Sequence, residues 1–224
     1  MEQNPQEIFY REYYSKVFNS DGFSGWSYRQ THKRLERRFL SNSGLRILEI
    51  GAGQGEHTEY LVPDYSELTL MDRVNIDPNG ISNQDPRIIN IVADAENITS
   101  AKSNYYDRII SMCVLHHVDN PQKVISNIRS WLKVGGVFSL FLPSDPGLLN
   151  RLNRKLTIIP KTRKLGFYDF EIVAAREHKN HYWAIKEELK YGFRDCKIEA
   201  QYFPLPIRSA NLSLFSIWHV TKSD

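Results

Sequence analysis

The chain has 224 residues, a length that fits one large domain or one domain with an inserted lobe. Hydrophobic residues make up 41% of it, and no apolar run approaches the length of a bilayer-spanning helix, so the composition is not that of an integral membrane protein. The net charge of +3 is too small to indicate a nucleic-acid partner, and we expect none.

Two features bear on the cellular compartment. The N-terminal stretch "MEQNPQEIFYREYY" is acidic and polar, unlike a secretion signal. Cys113 and Cys196 are the only cysteines, and each lies in or beside an apolar run, which is typical of buried free thiols. With no secretion signal and no disulfide framework, we expect a cytoplasmic protein.

In chain order, the predicted elements are two helices followed by strands that alternate with helices. Residues 5–40 have helical spacing, broken at 20–26 by "SDGFSGW", so a second helix is predicted over 28–40. Short apolar runs predict strands at 45–50, 67–72, 87–92, 106–113, 135–142, 196–203 and 212–220. Further helices are predicted at 54–62, 121–132 and 182–192.

The order of these elements indicates an α/β protein. Strands that are apolar on both faces and alternate with helices are typical of a parallel sheet covered on both sides. The link between the last two strands contains Pro204 and Pro206 and no helix, which favours antiparallel pairing there. Residues 143–180 do not fit the alternation and are predicted to form an insertion or cap.

A glycine-rich turn follows the first strand in "LRILEIGAGQGEHTEYL" (45–61). Glycines between a strand and a helix let a nucleotide approach the backbone closely. The spacing Gly51-x-Gly53-x-Gly55 is one residue shorter than the dinucleotide fingerprint, and the P-loop lysine is absent. Glu49 stands at the strand end, where a carboxylate repels a pyrophosphate and attracts a ligand with a cationic end.

Acids also end the next two predicted strands. Asp72 lies 21 residues beyond Gly51, where an acid is placed to bind ribose hydroxyls. Asp94, in "VADAENI", can accept a hydrogen bond from an exocyclic amine. Three acids at consecutive strand ends beside a glycine turn suit a nucleoside without a phosphate. The structural alternatives are a tight turn for the glycines, a strand-end cap for Asp72, a turn for Asp94 and a hydrogen-bond acceptor for Glu49.

These motifs together resemble the class I S-adenosylmethionine-dependent methyltransferases of the small-molecule group. "LEIGAGQGEHTEYL" is similar to the first motif of that family, "LTLMDRV" to the second, "VADAENI" to the third and "YDRIISMCVLHHVDNP" to the fourth. The resemblance implies an α/β, Rossmann-like, doubly wound and mostly parallel sheet of seven strands with an antiparallel last strand. It also implies a helical N-terminal lid over 1–43 and a methyltransferase domain over 44–224, with the cap inserted at about 143–180.

The resemblance implies S-adenosylmethionine as the cofactor and S-adenosylhomocysteine as its product. The glycine turn then lies under the cofactor, and Glu49 with the nearby backbone faces its methionine end. Asp94 and the Ala95 amide address adenine, and Arg73 or Val74 covers the ring. The implied cofactor-binding residues are Glu49, Gly51, Ala52, Gly53, Gly55, Asp72, Arg73, Asp94, Ala95 and Ser111.

The methyl acceptor is expected near "LHHVDN" (115–120), which follows the fourth strand. His116 and His117 are the predicted catalytic residues, because a neutral imidazole can take a hydroxyl proton near neutral pH. The alternative for His117 is to hold the loop through its ring nitrogens. Cys113 beside them also admits a metal, but two adjacent histidines rarely point at one ion, so no metal is expected.

Two segments beyond the fifth strand bear on the acceptor. In "REHKNHYW" (176–183), Asn180 or His181 either reaches the pocket or caps a helix. The basic run over 151–164 suits a phosphate on the acceptor. Leucines interleaved with bases over 148–164 also suit peripheral contact with an anionic membrane, and a solvated basic face is the simplest alternative.

The sequence leaves three functions open. The first is a methyltransferase that acts on a hydroxyl or amine of a small molecule, such as a sugar, a glycan precursor or a related metabolite. The second is a methyltransferase of a membrane quinone or lipid. The third is a cofactor-binding module without catalysis. No Asn-Pro-Pro-Tyr-like step follows the fourth strand, which argues against the amino-methylating nucleic-acid and protein classes. The oligomeric state is left open as well.

Overall fold

A computed structural model describes residues 4–18, 22–53, 55–61, 64–74, 85–98 and 102–223. The strands within these ranges are β1 (Ser43–Ile50), β2 (Asp64–Asp72), β3 (Ile88–Val92), β4 (Tyr106–Met112), β5 (Leu132–Pro143), β6 (Lys197–Pro204) and β7 (Ser213–Thr221). They form one sheet in the order β3-β2-β1-β4-β5-β7-β6. Neighbouring strands are parallel except that β7 is antiparallel to β5 and β6. The predicted seven-stranded Rossmann-like sheet with an antiparallel last strand is confirmed.

Helices precede the sheet and cover it. Near the N-terminus, α1 (Pro5–Ile8) continues through a π-helical turn (Phe9–Tyr13) into α2 (Tyr14–Phe18), and α3 (Phe23–Glu36) follows. The other α-helices of the described ranges are α4 (Pro121–Trp131), α5 (Leu148–Asn153), α6 (Ile159–Lys164), α7 (Phe170–Glu177) and α8 (Tyr182–Gly192). A second π-helical turn (Arg154–Ile158) joins α5 to α6.

Two predicted helices differ from those observed. The helix predicted over 28–40 begins earlier, at Phe23, directly after Gly22 with its positive φ of 109°. The helix predicted over 54–62 is only a short 3-10 turn (Glu56–Tyr60). Gly55 has a φ of 76° immediately before this turn, and a left-handed residue cannot continue an α-helix. The ends of that predicted helix, at 54 and 62, lie outside the described residues.

The sheet has an apolar layer on each face. Successive residues of β1 point to opposite sides, so Leu48 packs in one layer with Val124 and Ile128 of α4. Ile47 packs in the other layer with Leu35 of α3. Because both faces are covered, polar groups that need a ligand or solvent collect at the strand ends.

A third apolar cluster lies between the N-terminal helices and the segment that follows β5. Phe9 and Val17 from the N-terminal helices are buried together with Ile159, Phe167 and Phe170. The ring of Phe9 lies 5.4 Å from that of Phe167 and 5.2 Å from that of Phe170. The helices of the predicted lid and those of the predicted cap therefore share a small core. The domain boundaries drawn from the sequence remain predictions.

A charged network is buried between α3 and the sheet. The guanidinium of Arg108, on β4, is fully buried and donates to both carboxylate oxygens of Glu36 at 2.6 and 2.8 Å. Nε2 of His57 lies 3.0 Å from the same carboxylate, and its Nδ1 lies 2.8 Å from Nδ1 of His32. This network, which was not predicted, fastens α3 and the turn after β1 to the sheet.

The cysteines and the helices bear on two further expectations. Cys113 and Cys196 are free, as predicted, but each is half-buried rather than fully buried. In the described part of the chain, no helix has the length and apolar character needed to cross a bilayer.

Candidate active site

The carboxyl ends of β1, β2 and β4 meet at one edge of the sheet, and the glycine turn lies there. Gly51, Gly53 and Gly55 have φ values of 68°, 58° and 76°, which residues with a side chain rarely adopt. The amides of Gly51 and Ala52 donate to the Met71 carbonyl at 2.7 and 3.1 Å. The turn is therefore tied to the end of β2.

Gly51 is also constrained by packing. A Cβ built on it would lie 2.2 Å from Cγ2 of Val114, which follows β4. The bare backbone of the turn thus touches the loop after β4, and a side chain at position 51 would push the two segments apart. Glycine is needed here for close approach as well as for its φ.

Asp72 ends β2 and holds the turn from the other side. Its Oδ2 accepts from the Gly53 amide at 3.0 Å, and its Oδ1 accepts from the Val74 amide at 3.2 Å. A carboxylate held by two amides has a defined orientation, yet each oxygen keeps a lone pair for a ligand. The geometry is compatible with the implied ribose contact, which stays a prediction.

Glu49 is a buried acid with an unsatisfied oxygen. Only 2% of its surface is exposed, and its Oε2 has no hydrogen-bond partner among the described residues. Burial, together with the nearby charges of Glu56 and Glu36, raises the pKa of Glu49 to about 8. A buried polar atom without a partner is costly unless a ligand pairs with it. Glu49 is therefore suited to the cationic end of a ligand.

Tyr14 and Tyr28 of the N-terminal helices lie near the same strand ends. Burial raises the pKa of Tyr14 well above its ordinary value, and neighbouring Tyr28, Cys113 and Glu56 act in the same direction. The pKa of Tyr28 is raised by burial and then by Glu56. The Tyr14 and Tyr28 hydroxyls are therefore close enough to the glycine turn for the charge of Glu56 to raise their pKa values.

Asp94 and Ala95 lie in the turn after β3. Asp94 accepts from the Glu96 amide at 2.8 Å and from Nδ2 of Asn97 at 3.3 Å, so it has the turn-forming role that was the structural alternative. Ala95 is buried, and its carbonyl accepts from Nδ2 of Asn127 at 2.8 Å. The implied adenine contacts of both residues stay predictions.

Arg73, Val74 and Ser111 also lie close to the edge of the sheet that carries the glycine turn. Arg73 and Val74 are exposed just beyond β2, where a ring could be covered. Ser111 is fully buried in β4, and its Oγ has no partner among the described residues. Their contacts with a cofactor also stay predictions.

Three histidines form a cluster beside the loop that follows β4. His116 and His117 belong to that loop, and His178 reaches them from the end of α7. One ring nitrogen of each lies within 4.8 Å of the others. The ring centroid of His116 is 4.1 Å from that of His117 and 4.6 Å from that of His178. His178 belongs to the segment 176–183 that was considered for the pocket, but it was not among the predicted site residues, because no sequence pattern places it beside the other two.

Two carboxylates orient the outer members of this cluster. Nδ1 of His178 lies 2.6 Å from Oδ2 of Asp145, and Nδ1 of His117 lies 3.1 Å from Oε2 of Glu177. Burial alone would raise the pKa of Asp145, but His178 and Arg154 outweigh it and hold that pKa at about 2. The hydrogen bond from His117 lowers the pKa of Glu177. Both acids are therefore ionised at neutral pH.

His116 is the buried member of the cluster. It is 5% exposed, and its Nδ1 has no hydrogen-bond partner in the described ranges. Burial, with His117 and His178 nearby, lowers the pKa of His116 well below its ordinary value. The ring is neutral near pH 7, but a group with so low a pKa is a weak general base.

Asn180 and His181 have local roles in this region. Nδ2 of Asn180 donates to the carbonyls of Leu115 and Val118 at 3.1 and 2.7 Å, which ties the loop after α7 to the loop after β4. Nδ1 of His181 accepts from the Ala184 amide at 3.3 Å and caps α8. Of the two roles considered for His181, capping is the one observed.

A pocket of about 260 Å³ adjoins the histidine cluster. It is lined by Asp145, Pro146, Arg151, Arg154, Glu171, Ala174, Ala175, His178 and His181. Both acids of this lining already face a cation, since Asp145 pairs with Arg154 at 2.8 Å and Glu171 with Arg163 at 3.6 Å. Arg151 makes no ion pair within the described residues. The lining holds two arginines and two acids, so its formal charges balance, but Arg151 is left for an anionic ligand because both acids pair with other arginines.

Solved methyltransferase structures share this fold. The CurJ carbon methyltransferase matches with a TM-score of 0.68 over 100% of this chain and 62% of its own, at 17% identity. The N-methyltransferase NodS from Bradyrhizobium japonicum WM9, solved with S-adenosylhomocysteine, matches with a TM-score of 0.64 over 99% of this chain and 100% of its own, at 18% identity. The fold is that of the class I S-adenosylmethionine-dependent methyltransferases.

Residues 25–189 match a family described as a methyltransferase domain, and the chain belongs to that family. A relative, malonyl-[acyl-carrier protein] O-methyltransferase from Halalkalibacterium halodurans, is 26% identical over 162 residues, which is 66% of this chain. The matched region spans 58% of that relative's length. The family and the fold are those of S-adenosylmethionine-dependent methyltransferases.

We expect cofactor binding to release about one proton at pH 7. Glu49 is mostly protonated below its pKa of about 8 in the free protein, and it must ionise to pair with an ammonium group. Affinity should therefore rise as the pH approaches 8. Calorimetry in buffers of different ionisation enthalpy measures the proton. Glu49→Gln should abolish the release, whereas Glu59→Gln, which changes an exposed acid of the same turn, should not. Equal release by both variants would contradict this role for Glu49.

Proposed function

We propose that the protein transfers the methyl group of S-adenosylmethionine to a hydroxyl or amine of a small acceptor that carries an anionic group. A phosphorylated sugar or a phosphate-bearing glycan precursor is the acceptor class we favour. The pocket beside the histidine cluster, with Arg151 in its lining, is the observation that carries this proposal. Guanidinium groups recognise phosphate through charge-assisted hydrogen bonds, and ligands of open α/β sheets bind outside the carboxyl ends of the strands.

Methyl transfer requires the acceptor atom to stand in line with the sulfonium of the cofactor. Positioning of this kind contributes at most about 7–11 kcal/mol. A hydroxyl must also lose its proton, for which a positioned base contributes about 10²–10⁴-fold. The glycine turn and Glu49 would hold the donor, and the pocket lined by Arg151 would hold the acceptor.

Among the three histidines, His117 and His178 are better placed than His116 to take the proton. Each of them is oriented by a carboxylate, and their side chains are 27% and 25% exposed. A base oriented by an acid through its other nitrogen is the arrangement that activates hydroxyl groups in many enzymes. The sequence predicted both His116 and His117 as catalytic residues, and the lowered pKa of the buried His116 argues against it as the base.

The acceptor class is tested with an assay that measures released S-adenosylhomocysteine. Sugar nucleotides come first, followed by sugar phosphates and the matching neutral sugars. The curated relative is named as acting on a malonyl group carried by an acyl carrier protein. A carboxylate is anionic too, so malonyl thioesters form a second arm of the screen. Equal turnover of phosphorylated and neutral sugars would argue against an anion-binding pocket.

Arg151→Ala is expected to raise the KM for a phosphate-bearing acceptor about 10–100-fold, because one hydrogen bond to a charged group contributes about 1.5–3 kcal/mol. The Kd for S-adenosylmethionine should not change. Arg194→Ala removes another exposed arginine, just beyond α8, and serves as the matched control. An unchanged KM in Arg151→Ala would remove this residue, and with it the pocket, from the acceptor site.

A lipid or quinone acceptor at a membrane is a second candidate, and the surface of the cap favours it. Leu148, Leu152 and Leu156 occupy successive turns and are 65%, 48% and 68% exposed. Arg151 and Lys155 lie between them in the chain and are also exposed. Such a surface suits an interface that contains anionic lipid.

Sedimentation with anionic vesicles at low salt tests the membrane candidate. Wild type should sediment with the vesicles, and added salt should release it. The double variant Leu152→Glu/Leu156→Glu should stay in the supernatant, whereas Leu40→Glu, which changes a 68% exposed leucine beyond α3, should still sediment. A wild-type protein that stays in solution would remove the candidate.

A further inference from the structure

We propose that His116, His117 and His178 bind a divalent transition-metal ion of the zinc type at the border of the acceptor pocket. The sequence predicted no metal, because two adjacent histidines rarely point at one ion. In the structure, ring nitrogens of these two histidines lie within 4.8 Å of each other and of a third histidine, His178, from a different segment. The proposed site concerns the metal alone and stands whether or not the acceptor is a phosphorylated sugar.

The three rings are almost close enough to hold one ion. One nitrogen of each lies within 4.8 Å of the others. With metal–nitrogen bonds of about 2.0–2.1 Å, nitrogens in a tetrahedral site are about 3.4 Å apart, so closure needs ring movements of about 1 Å. His117 and His178 lie in loops and are about a quarter exposed, which leaves their rings space to turn.

The carboxylates that contact the cluster are arranged as metal sites require. Metal-binding histidines usually donate their second ring N–H to a carboxylate or carbonyl, which orients the ring and raises its basicity. Nδ1 of His178 faces Asp145 at 2.6 Å, and Nδ1 of His117 faces both Oε2 and the carbonyl oxygen of Glu177 at 3.1 and 2.9 Å. Nε2 of each is therefore the nitrogen left for an ion.

His116 supplies an independent observation. It is 95% buried, yet its Nδ1 has no partner among the residues that the structure describes. An unsatisfied buried nitrogen is costly, and an ion bound by the neighbouring rings would satisfy it. The Asn180 amide donates to the His116 carbonyl at 3.1 Å, which holds the two loops of the cluster together before any ion binds.

Three neutral imidazoles define the chemical class of the ion. Imidazole ligands suit Zn²⁺, Cu²⁺, Fe²⁺ and Ni²⁺, whereas Mg²⁺ and Ca²⁺ prefer oxygen. Three protein ligands also leave a coordination position open, as in catalytic zinc sites. Because His178 and Asp145 line the proposed acceptor pocket, the open coordination position of the ion would lie at the border of that pocket. An ion there would lower the pKa of a bound hydroxyl, the task otherwise given to a histidine base.

The test is a titration of the chelator-treated protein with Co²⁺ and Zn²⁺ in the absence of cofactor and acceptor. Co²⁺ should bind one per chain and produce the visible absorption bands of a tetrahedral nitrogen site, and calorimetry should show that Zn²⁺ displaces it. His178→Ala and His116→Ala should each lower the affinity at least 100-fold. Asp145→Asn, which keeps the side-chain shape, should lower it about 10–100-fold.

His181→Asn is the matched control, since it removes a nearby exposed histidine and keeps a helix-capping side chain. It should bind Co²⁺ as wild type does. Circular dichroism melting curves show which variants are folded. If a histidine variant is unfolded, the metal affinity of Asp145→Asn tests the proposal instead. Failure of wild type to bind Co²⁺ and Zn²⁺ at micromolar concentrations, or equal binding by wild type and folded His178→Ala, would overturn the proposal. Neither result would bear on methyl transfer, which the acceptor assay measures separately.

Discussion

Asp72→Ala is expected to weaken the binding of S-adenosylmethionine about 100-fold. The carboxylate is the predicted ribose ligand, and it also orients the amides of Gly53 and Val74 at 3.0 and 3.2 Å. Hydrogen bonds to a charged group contribute about 1.5–3 kcal/mol each, so loss of the ribose contact and relaxation of the turn together account for this change in Kd. Calorimetry with S-adenosylmethionine and with S-adenosylhomocysteine measures the effect, and both ligands should lose affinity alike.

Two further variants separate the ribose contact from the turn. Asp72→Asn keeps an oxygen that can accept from the Gly53 amide but removes the charge, so we expect a smaller loss than in Asp72→Ala. Asp64→Ala changes an exposed acid at the opposite end of the same strand and should bind the cofactor as wild type does. Affinity within about threefold of wild type for Asp72→Ala would show that this carboxylate is not a cofactor ligand.

The sheet could be predicted from the sequence because its strands are continuous apolar runs. Both faces of β1 and β4 are buried, so these strands could be recognised without an alternation of apolar and polar residues. The boundaries were less accurate where glycine was involved. The fifth strand was predicted from 135, but β5 begins at Leu132 and contains Gly135 at φ 77°, near a register shift in its pairing with β4. A glycine in a strand marks such an irregularity as readily as it marks an end.

The candidate site divides into a part that sequence could reach and a part that it could not. The glycine turn, Glu49 and Asp72 lie within one local motif, and the structure brings them to one edge of the sheet. His178 and Asp145 come from the cap, and their pairing with the loop after β4 depends on contacts between segments far apart in the chain. Residue type and spacing carry no information about such contacts. For the same reason, the buried pair of Arg108 and Glu36 was not predicted, since the two residues lie 72 positions apart in the chain.

Arg108→Met is expected to lower the free energy of unfolding by about 3–5 kcal/mol, because it leaves a buried carboxylate without its guanidinium partner. The side chains of Arg108 and Glu36 are 0% and 1% exposed, so solvent cannot replace the lost contact. Burial alone would raise the pKa of Glu36, but hydrogen bonds from His57 and Arg108 outweigh it and lower that pKa to about 2. Urea unfolding followed by circular dichroism measures the loss at pH 7.

The low pKa of Glu36 also fixes the pH dependence of this contribution. The stabilisation is present above the ordinary pKa of about 4.5 and is lost as the pH falls toward 2, so acid should narrow the gap between wild type and Arg108→Met. The double variant Arg108→Met/Glu36→Leu should recover much of the stability, since it removes the uncompensated charge. Arg87→Met, which breaks an exposed pair with Asp64, should have a much smaller effect than Arg108→Met. Two results would contradict this role of the buried pair in holding α3 to the sheet. One is an Arg108→Met variant that is at least as stable as Arg87→Met. The other is a double variant that recovers no stability relative to Arg108→Met.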